Sequence, residues 1–516
     1  MQQLKLPEIF SSLPITWDCE VSLPDLPVNG IQFDSRKVTP GDVFVAFTGG
    51  NIDGHDFIES AIVHGAIAVV GTRDVRRLAV PYIRVQDSRE ALAYLSAAYF
   101  DNPARKMTII GVTGTDGKTT TANLIYEILK TAGLKAGLIS TVNAVIGDKV
   151  IDTGFHVTTP EATEIQQYLA AMVEAGITHV VLETTSHGLA QHRVTGCEYD
   201  IAVVTNITHE HLDYHGSYEE YRAAKSRMFT SLVQTHDKVR GNPRLAVLNR
   251  DDISYDHLST IVTANRTSYG TQENADLVAR NITSNTNGVD FIAVGKGIES
   301  NVHCNLPGRF NVSNCLAAIS VAIGLGIEIQ TAVRGIDQLK GVPGRMEPIV
   351  MGQPFDAIVD FAHTPNALKV ALETAREMNK NRIIAVFGSA GLRDRQKRKM
   401  MAEVSIQLAE VTILTAEDPR TESLSDILAE MADAASSAGG IEGQTFFLVH
   451  DRGDAIRQAV KMAKAGDLVI ACGKGHEQSM CFDTIEYAWD DRTAMRAALS
   501  ELMGIPGPPM PVLPTS

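Results

Sequence analysis

Short apolar runs, each followed by a stretch with helical spacing, recur along this chain. A short run rich in β-branched residues reads as a buried strand; apolar residues three and four apart read as one face of a helix. Near the N-terminus, Val43-Phe44-Val45-Ala46-Phe47 and Ala66 to Val70 predict strands. Phe57 to His64 predicts a short helix, and Arg89 to Phe100 a second one ending at Asp101-Asn102-Pro103. In the middle, Met107 to Ile110, Ala136 to Ser140, His179 to Glu183, Ile201 to Thr205 and Ala246 to Asn249 predict strands. Ala122 to Lys130, Pro160 to Ala175 and Asn311 to Leu325 have helical spacing, and residues 262–303 predict short strands and turns. After the turn Gly341-Val342-Pro343-Gly344-Arg345, strands are expected at Ala357 to Asp360, Arg382 to Phe387, Val411 to Thr415 and Leu468 to Cys472. Helices are expected to begin near Thr364, Arg395, Leu424 and Asp454.

Strands alternating with helices imply mostly parallel sheets, with ligands at the carboxyl ends of the strands. The expected fold class is α/β in three domains. A small N-terminal α/β domain (1–105) precedes a central domain with a doubly wound sheet (106–342) and a C-terminal Rossmann-like domain (343–503). The proline-rich stretch 504–516 cannot continue a helix and is expected to be a disordered tail.

The 516 residues leave room for sizeable cores, and a net charge of −15 argues against general nucleic-acid or anionic-membrane binding. The six cysteines are scattered without metal-like pairing, which fits reduced thiols in a cytoplasmic protein. No apolar run is long enough to span a bilayer, and the N-terminus lacks a signal-peptide pattern.

The strand at Met107 runs into Gly111-Val112-Thr113-Gly114-Thr115-Asp116-Gly117-Lys118-Thr119-Thr120 and then a helix. Strand, glycine-rich turn, Gly-Lys-Thr and helix make a phosphate-binding loop, with backbone amides and the helix N-terminus facing an anion. Lys118 can reach terminal phosphates, and the Thr119 hydroxyl can ligate Mg²⁺. The strict pattern wants glycine five residues before Gly117, where this chain has Val112, so the loop is a variant; the bland alternative is a plain strand-to-helix turn. Glu183, at a strand end, suits a metal or a bound water, or else a helix cap. The run His209-Glu210-His211-Leu212-Asp213-Tyr214-His215 suggests a hard-metal or phosphate site; its His-x-His spacing also suggests zinc, without a supporting third ligand. Lys225 alone reads as a surface lysine on a helix. In the last third, Asp360 to Pro365, Gly391 to Arg395, Glu417 to Glu422 and Gly473 to Glu477 each follow an apolar strand. Arg393 and Arg420 could fork onto a carboxylate and Asp418 and Glu477 could hold an ammonium, a set that suits a zwitterionic amino acid; ordinary charged loop ends are the alternative.

In order and spacing these motifs resemble the Mur ligases, the ATP-dependent amide-forming enzymes of peptidoglycan synthesis, and in particular members that add the third amino acid. The resemblance runs from Asp34 to Arg492 and includes Thr158-Thr159-Pro160, Ser186-His187-Gly188-Leu189, His211 to Gly216 and Gly473-Lys474-Gly475-His476-Glu477. It implies that the N-terminal domain binds the UDP end of a nucleotide sugar through Ser35, in Asp34-Ser35-Arg36, and through Gly50 and Asn51. It implies that Thr158, Thr159, Thr185, Gln191 and Arg193 hold the muramoyl-dipeptide of UDP-MurNAc-L-Ala-D-Glu. The loop residues Gly114 to Thr120 would bind ATP, with Asn311 and Asn314 on the adenine side and Arg345 and Asp360 contributed by the C-terminal domain. Mg²⁺ would be held by Thr119, Glu183 and His211, and Lys225 matches the family lysine that reacts with CO₂ to form a carbamate able to ligate a second Mg²⁺. The implied catalytic group is therefore Lys118, Glu183, His211 and Lys225.

The same resemblance assigns the free amino acid to Arg393, Glu417, Asp418, Pro419, Arg420, Gly473 and Glu477. Diaminopimelate-adding relatives read Asp-Asn-Pro-Arg where this chain reads Glu417-Asp418-Pro419-Arg420. Arg420 favours meso-diaminopimelate, while the extra charge of Asp418 keeps lysine and ornithine open. A folylpolyglutamate synthetase and a non-ligase ATPase switch are the alternatives further off. The enzyme is expected to act as a monomer.

Overall fold

The computed structural model describes residues 4–49, 52–75, 77–151, 159–208, 212–285, 288–295, 297–378 and 381–515. Three α/β units follow one another, each built on its own sheet. The first sheet has five strands, parallel except for the edge strand Trp17–Asp18. Its two faces are covered by separate apolar clusters, one including Leu92 and Leu95 of the helix Ser88–Tyr99.

The central sheet has eleven strands. At its middle lies Thr108–Thr113, flanked in parallel by His179–Glu183 and Ile201–Val204. Every residue of Thr108–Thr113 is buried, because helices cover both faces; this is why the strand reads as a run and not as an alternation. Both edges are antiparallel. Ala144–Ile146 and Lys149–Ile151 extend one side, and Leu277–Asn285, Gly288–Gly295 and Ile298–Cys304 the other. Within 262–303, expected as short strands and turns, Asn265–Gly270, Leu277–Asn285, Gly288–Gly295 and the strand begun at Ile298 all belong to this one sheet.

The third sheet has six strands, parallel except for Glu347–Pro348 at one edge. A two-stranded hairpin, Ser479–Phe482 with Ile485–Ala488, follows its central strand Leu468–Cys472. The expected disordered tail is instead ordered through Thr515. Its prolines keep it extended, but Leu513 is buried in the apolar core beside Met510, and Thr515 Oγ1 donates to Asp451 Oδ2 at 2.5 Å. Burial of an apolar side chain, worth roughly 1.5–3 kcal/mol, offsets part of the cost of ordering this segment.

Candidate active site

The phosphate loop lies where the three middle strands of the central sheet end. Val112 sits inside the strand, fully buried and in register with Glu183 and Val203, so the loop proper begins after it. Gly114 has φ of 153°, and a Cβ there would lie 1.8 Å from Thr205 Oγ1, so only glycine fits. Neighbouring loops pin the turn. Thr115 N donates to Asn206 O at 2.7 Å, Asp116 N to Asn206 Oδ1 at 2.9 Å, and Thr205 Oγ1 to Asp116 O at 2.6 Å. Gly117 caps the helix Lys118–Thr131, whose free N-terminal amides favour an anion. Lys118 Nζ curls over this concavity, 2.7 Å from Thr115 O, and Thr120 is buried on the following turn.

Three parts of the chain meet at Thr119. Its hydroxyl donates to Glu183 Oε1 at 3.0 Å and accepts from Arg345 Nη2 at 3.1 Å. Glu183 is buried at its strand end, and its other oxygen accepts from Thr141 N at 2.9 Å. Lys225, on the helix Tyr218–Thr230, is not a surface residue: it is 1% exposed. Its Nζ donates to Gly114 O at 2.6 Å and lies 4.7 Å from the centre of the Tyr221 ring. The Tyr221 hydroxyl in turn bonds Thr115 Oγ1 at 2.9 Å, a loop contact that no sequence signal marked.

Asn311 and Asn314 join from the helix Asn311–Gly324, linked by a 2.9 Å hydrogen bond, and Thr121 Oγ1 donates to Asn314 Oδ1 at 3.2 Å. Arg345 stacks over Phe361 at 4.4 Å, next to His476. Burial, abetted by Arg345, Arg492 and Lys474, pushes the His476 imidazole down to about 2, so it is neutral. Asp360 accepts from Met346 N and Ala362 N at 2.7 and 2.8 Å; burial raises its pKa, with Arg345 opposing.

A second cluster gathers Thr159, Thr185, Gln191 and Arg193. Thr185 Oγ1 caps the helix Ser186–Ala190 by accepting from Gly188 N, and lies 3.0 Å from Thr159 Oγ1. Arg193 donates to Thr159 O at 2.9 Å, grips Gln191 Oε1 and pairs with Glu161 at 3.0 Å. Arg89, from the first unit, stacks over Phe47 at 4.1 Å; burial lowers its pKa, with Glu161 opposing. Ser35 lies on a short turn whose Asp34 folds back to Arg36. Gly50, Asn51, Thr158 and His211 lie outside the described residues.

The third cluster is in the last unit. Glu417 is buried, and a Cβ on Gly473 (φ 114°) would come 2.3 Å from its Oε2, so glycine is required there too. Burial pushes Glu417 up to about 7, against the pull of Arg452, Lys397 and Lys474. Asp418 differs from its expected role. Its carboxylate accepts from Lys474 Nζ at 3.0 Å through both oxygens and from Cys481 N at 2.9 Å. The extra charge that suggested a second substrate ammonium is therefore matched by an internal lysine. Pro419 and Arg420 complete the turn, with Arg420 N donating to Cys481 O at 3.1 Å. Glu477 pairs with the same Lys474, and Arg393 is exposed on the neighbouring loop.

The folded state keeps the Glu417 proton between pH about 4.5 and about 7, where the unfolded chain has lost it. Stability contributed here is therefore lost as pH rises through that window. Glu417→Gln is expected to stabilise the chain by up to roughly 3 kcal/mol at pH 8 and by nothing near pH 4.5. Urea unfolding at both pH values checks this, and a pH-independent difference would be the wrong result.

A glycine loop with lysine and threonine, a strand-end carboxylate beside it and an arginine reaching in from another unit define a three-unit, phosphate-loop nucleotide-binding protein. The chain belongs to the Mur ligase family: the middle domain matches residues 112–322, the glutamate ligase domain 344–475, and the catalytic domain 27–100. It is 41% identical to the UDP-N-acetylmuramyl-tripeptide synthetase of Roseiflexus sp. (strain RS-1), over 92% of this chain and 96% of that one. It is 40% identical to the UDP-N-acetylmuramoyl-L-alanyl-D-glutamate--2,6-diaminopimelate ligase of Geobacillus thermodenitrificans, over 96% of this chain and all of that one. A solved structure of such a diaminopimelate ligase is 31% identical, superposes with a TM-score of 0.67, and covers 97% of this chain and 100% of its own.

Proposed function

We propose that the chain joins meso-diaminopimelate to UDP-MurNAc-L-Ala-D-Glu, consuming ATP. Relatives that are 40% and 31% identical to it are UDP-N-acetylmuramoyl-L-alanyl-D-glutamate--2,6-diaminopimelate ligases. The observation that carries the reading is the meeting of loop, strand-end carboxylate and third-unit arginine at the Thr119 hydroxyl.

In the first step the D-glutamyl γ-carboxylate attacks the γ-phosphorus of ATP, giving an acyl phosphate and ADP. Both reactants are anions. Lys118, the loop amides and Arg345 supply positive charge where negative charge accumulates. Thr119 and Glu183 present hard oxygen donors 3.0 Å apart, a set that fits Mg²⁺. Bound there, Mg²⁺ would neutralise phosphate charge. In the second step the amino group of the incoming residue attacks the acyl carbon, phosphate leaves, and the amine proton passes to solvent or a nearby base. Thr159, Thr185, Gln191 and Arg193 would hold the peptide end of the nucleotide, and the cluster around Glu417 and Glu477 the amino acid.

Lys225 is proposed to carry a carbamate. Its neutral amine adds to CO₂ and releases one proton, turning a cation into a carboxylate-like group beside Gly114. The three units would work as one monomer, in the cytoplasm, without membrane or nucleic acid.

Phosphate release measured with ATP, the dipeptide nucleotide and single amino acids tests the reading. Release is expected only with both co-substrates and best with meso-diaminopimelate. Equal or better turnover with lysine or ornithine would overturn the choice of amino acid, and release without any amino acid would overturn the ligase.

A further inference from the structure

Arg89 is the second residue of the helix Ser88–Tyr99, and its guanidinium lies over the Phe47 ring at 4.1 Å. Phe47 stacks in turn on Phe33, with ring centres 5.9 Å apart. The three layers come from separate places in the chain. Phe33 follows the strand Gly30–Gln32, Phe47 follows Asp42–Val45, and Arg89 follows Tyr82–Val85. These strands run parallel in the first sheet, so the stack stands at its carboxyl edge, where open α/β sheets take their ligands.

The guanidinium is half-buried, yet it makes no ion pair among the described residues. Burial pulls its pKa down, with Glu161 the largest opposing influence. A cation kept partly out of water without a carboxylate against it carries a cost that an incoming anion removes. The two carboxylates that raise its pKa, Glu161 and Asp87, are engaged elsewhere. Glu161 pairs with Arg193 at 3.0 Å. Asp87 caps the helix by accepting from Arg89 N and Glu90 N, and lies 3.8 Å from His192. Since Asp87 already takes those amides, the guanidinium and not the helix end is what remains to meet a ligand. Arg36, beside Ser35, differs: it is exposed and forks onto Asp34 through two bonds of 2.9 Å.

The same helix docks on the central unit. Ser96 Oγ lies 3.0 Å from Thr163 Oγ1, and the approach of Asp87 to His192 sets the N-terminal end of the helix at the turn of Gln191 and Arg193. Arg89 is therefore placed between Ser35 and the loop that opens at Thr48, on one side, and the dipeptide cluster on the other. In UDP-MurNAc-L-Ala-D-Glu the diphosphate lies between the uridine and the peptide. A planar fork of donors held flat on a ring suits phosphate oxygens.

We propose that Arg89, held on the Phe47–Phe33 stack, binds the diphosphate of the nucleotide sugar. The proposal rests on the ligase reading given above. Arg89→Met keeps an unbranched stem over Phe47 and removes the charge and the fork. Its KM for UDP-MurNAc-L-Ala-D-Glu is expected to rise about tenfold or more, and the inhibition constant of UDP, competing with that nucleotide, by a similar factor. The KM for ATP and for meso-diaminopimelate is expected to stay within about twofold. Arg89→Lys keeps the charge on a stem of similar length and is expected to lie between parent and Met variant. Should Arg89→Met not fold, Arg89→Gln takes its place.

An unchanged nucleotide KM in the Met variant would overturn the proposal. So would a raised KM with unchanged UDP inhibition, since the arginine would then serve the sugar or the peptide. A Lys variant as impaired as the Met variant would reduce Arg89 to packing on Phe47 and overturn it as well. A parent that neither uses the dipeptide nucleotide nor needs an amino acid for phosphate release sinks the ligase reading and this proposal together. A parent that behaves as a ligase while its variants miss the pattern sinks the proposal alone.

Discussion

Lys225→Ala is expected to lower turnover roughly a thousand-fold, about 4 kcal/mol of transition-state stabilisation, and added bicarbonate should not restore it. Lys225 is buried against the phosphate loop, with Nζ 2.6 Å from Gly114 O. An unmodified ammonium could help there as a cation; a carbamate would help as an anion. Lys225→Arg separates these. Arginine keeps the positive charge and the donor to Gly114 but forms no such carbamate. If the anion is what matters, the arginine variant is as inactive as the alanine one. Steady-state phosphate release measures both, and substantial activity in the arginine variant would remove the carbamate role.

Arg452→Met is expected to cost about 3–5 kcal/mol of stability, the range for breaking one side of a buried ion pair. Arg452 and Asp491 are both fully buried and meet through two hydrogen bonds of 2.7 and 2.6 Å. The same guanidinium donates to Ala416 O at 3.1 Å and to Cys472 O at 2.7 Å. Those carbonyls are next to Glu417 and Gly473, so the arginine ties together the two strand ends that carry the proposed amino-acid pocket. Methionine would leave Asp491 uncompensated and two carbonyls without their donor. Urea unfolding of the variant measures the loss, and a change below about 1 kcal/mol would contradict this account. Arg452→Met/Asp491→Leu should recover part of it, since the stranded charge is then gone.

Much of the fold was legible because both faces of the middle strands are covered. Thr108–Thr113, His179–Glu183 and Leu468–Cys472 carry apolar stretches with no in-out alternation for that reason. The antiparallel edge at 277–304 was not legible as part of the same sheet, because pairing with a distant strand leaves no local mark. The ordered tail was missed for a similar reason. Proline content excludes a helix, but it does not reveal that Leu513 finds an apolar cluster to enter.

The sequence by itself determined the phosphate loop, the three successive strand–helix units and the family, since each depends on residue type at short spacing and on motif order. It also placed Glu183 at a strand end beside that loop. Only the tertiary structure decided what the charged residues face. It buried Lys225 against Gly114, brought Arg345 to Thr119 across 226 positions of chain, and matched Asp418 to Lys474 over 56. Charge is a property of one residue, but its partner and its access to water depend on where the chain returns. That is why a lysine that reads as surface lies buried against the phosphate loop, and why an aspartate that could hold an ammonium is paired with an internal lysine.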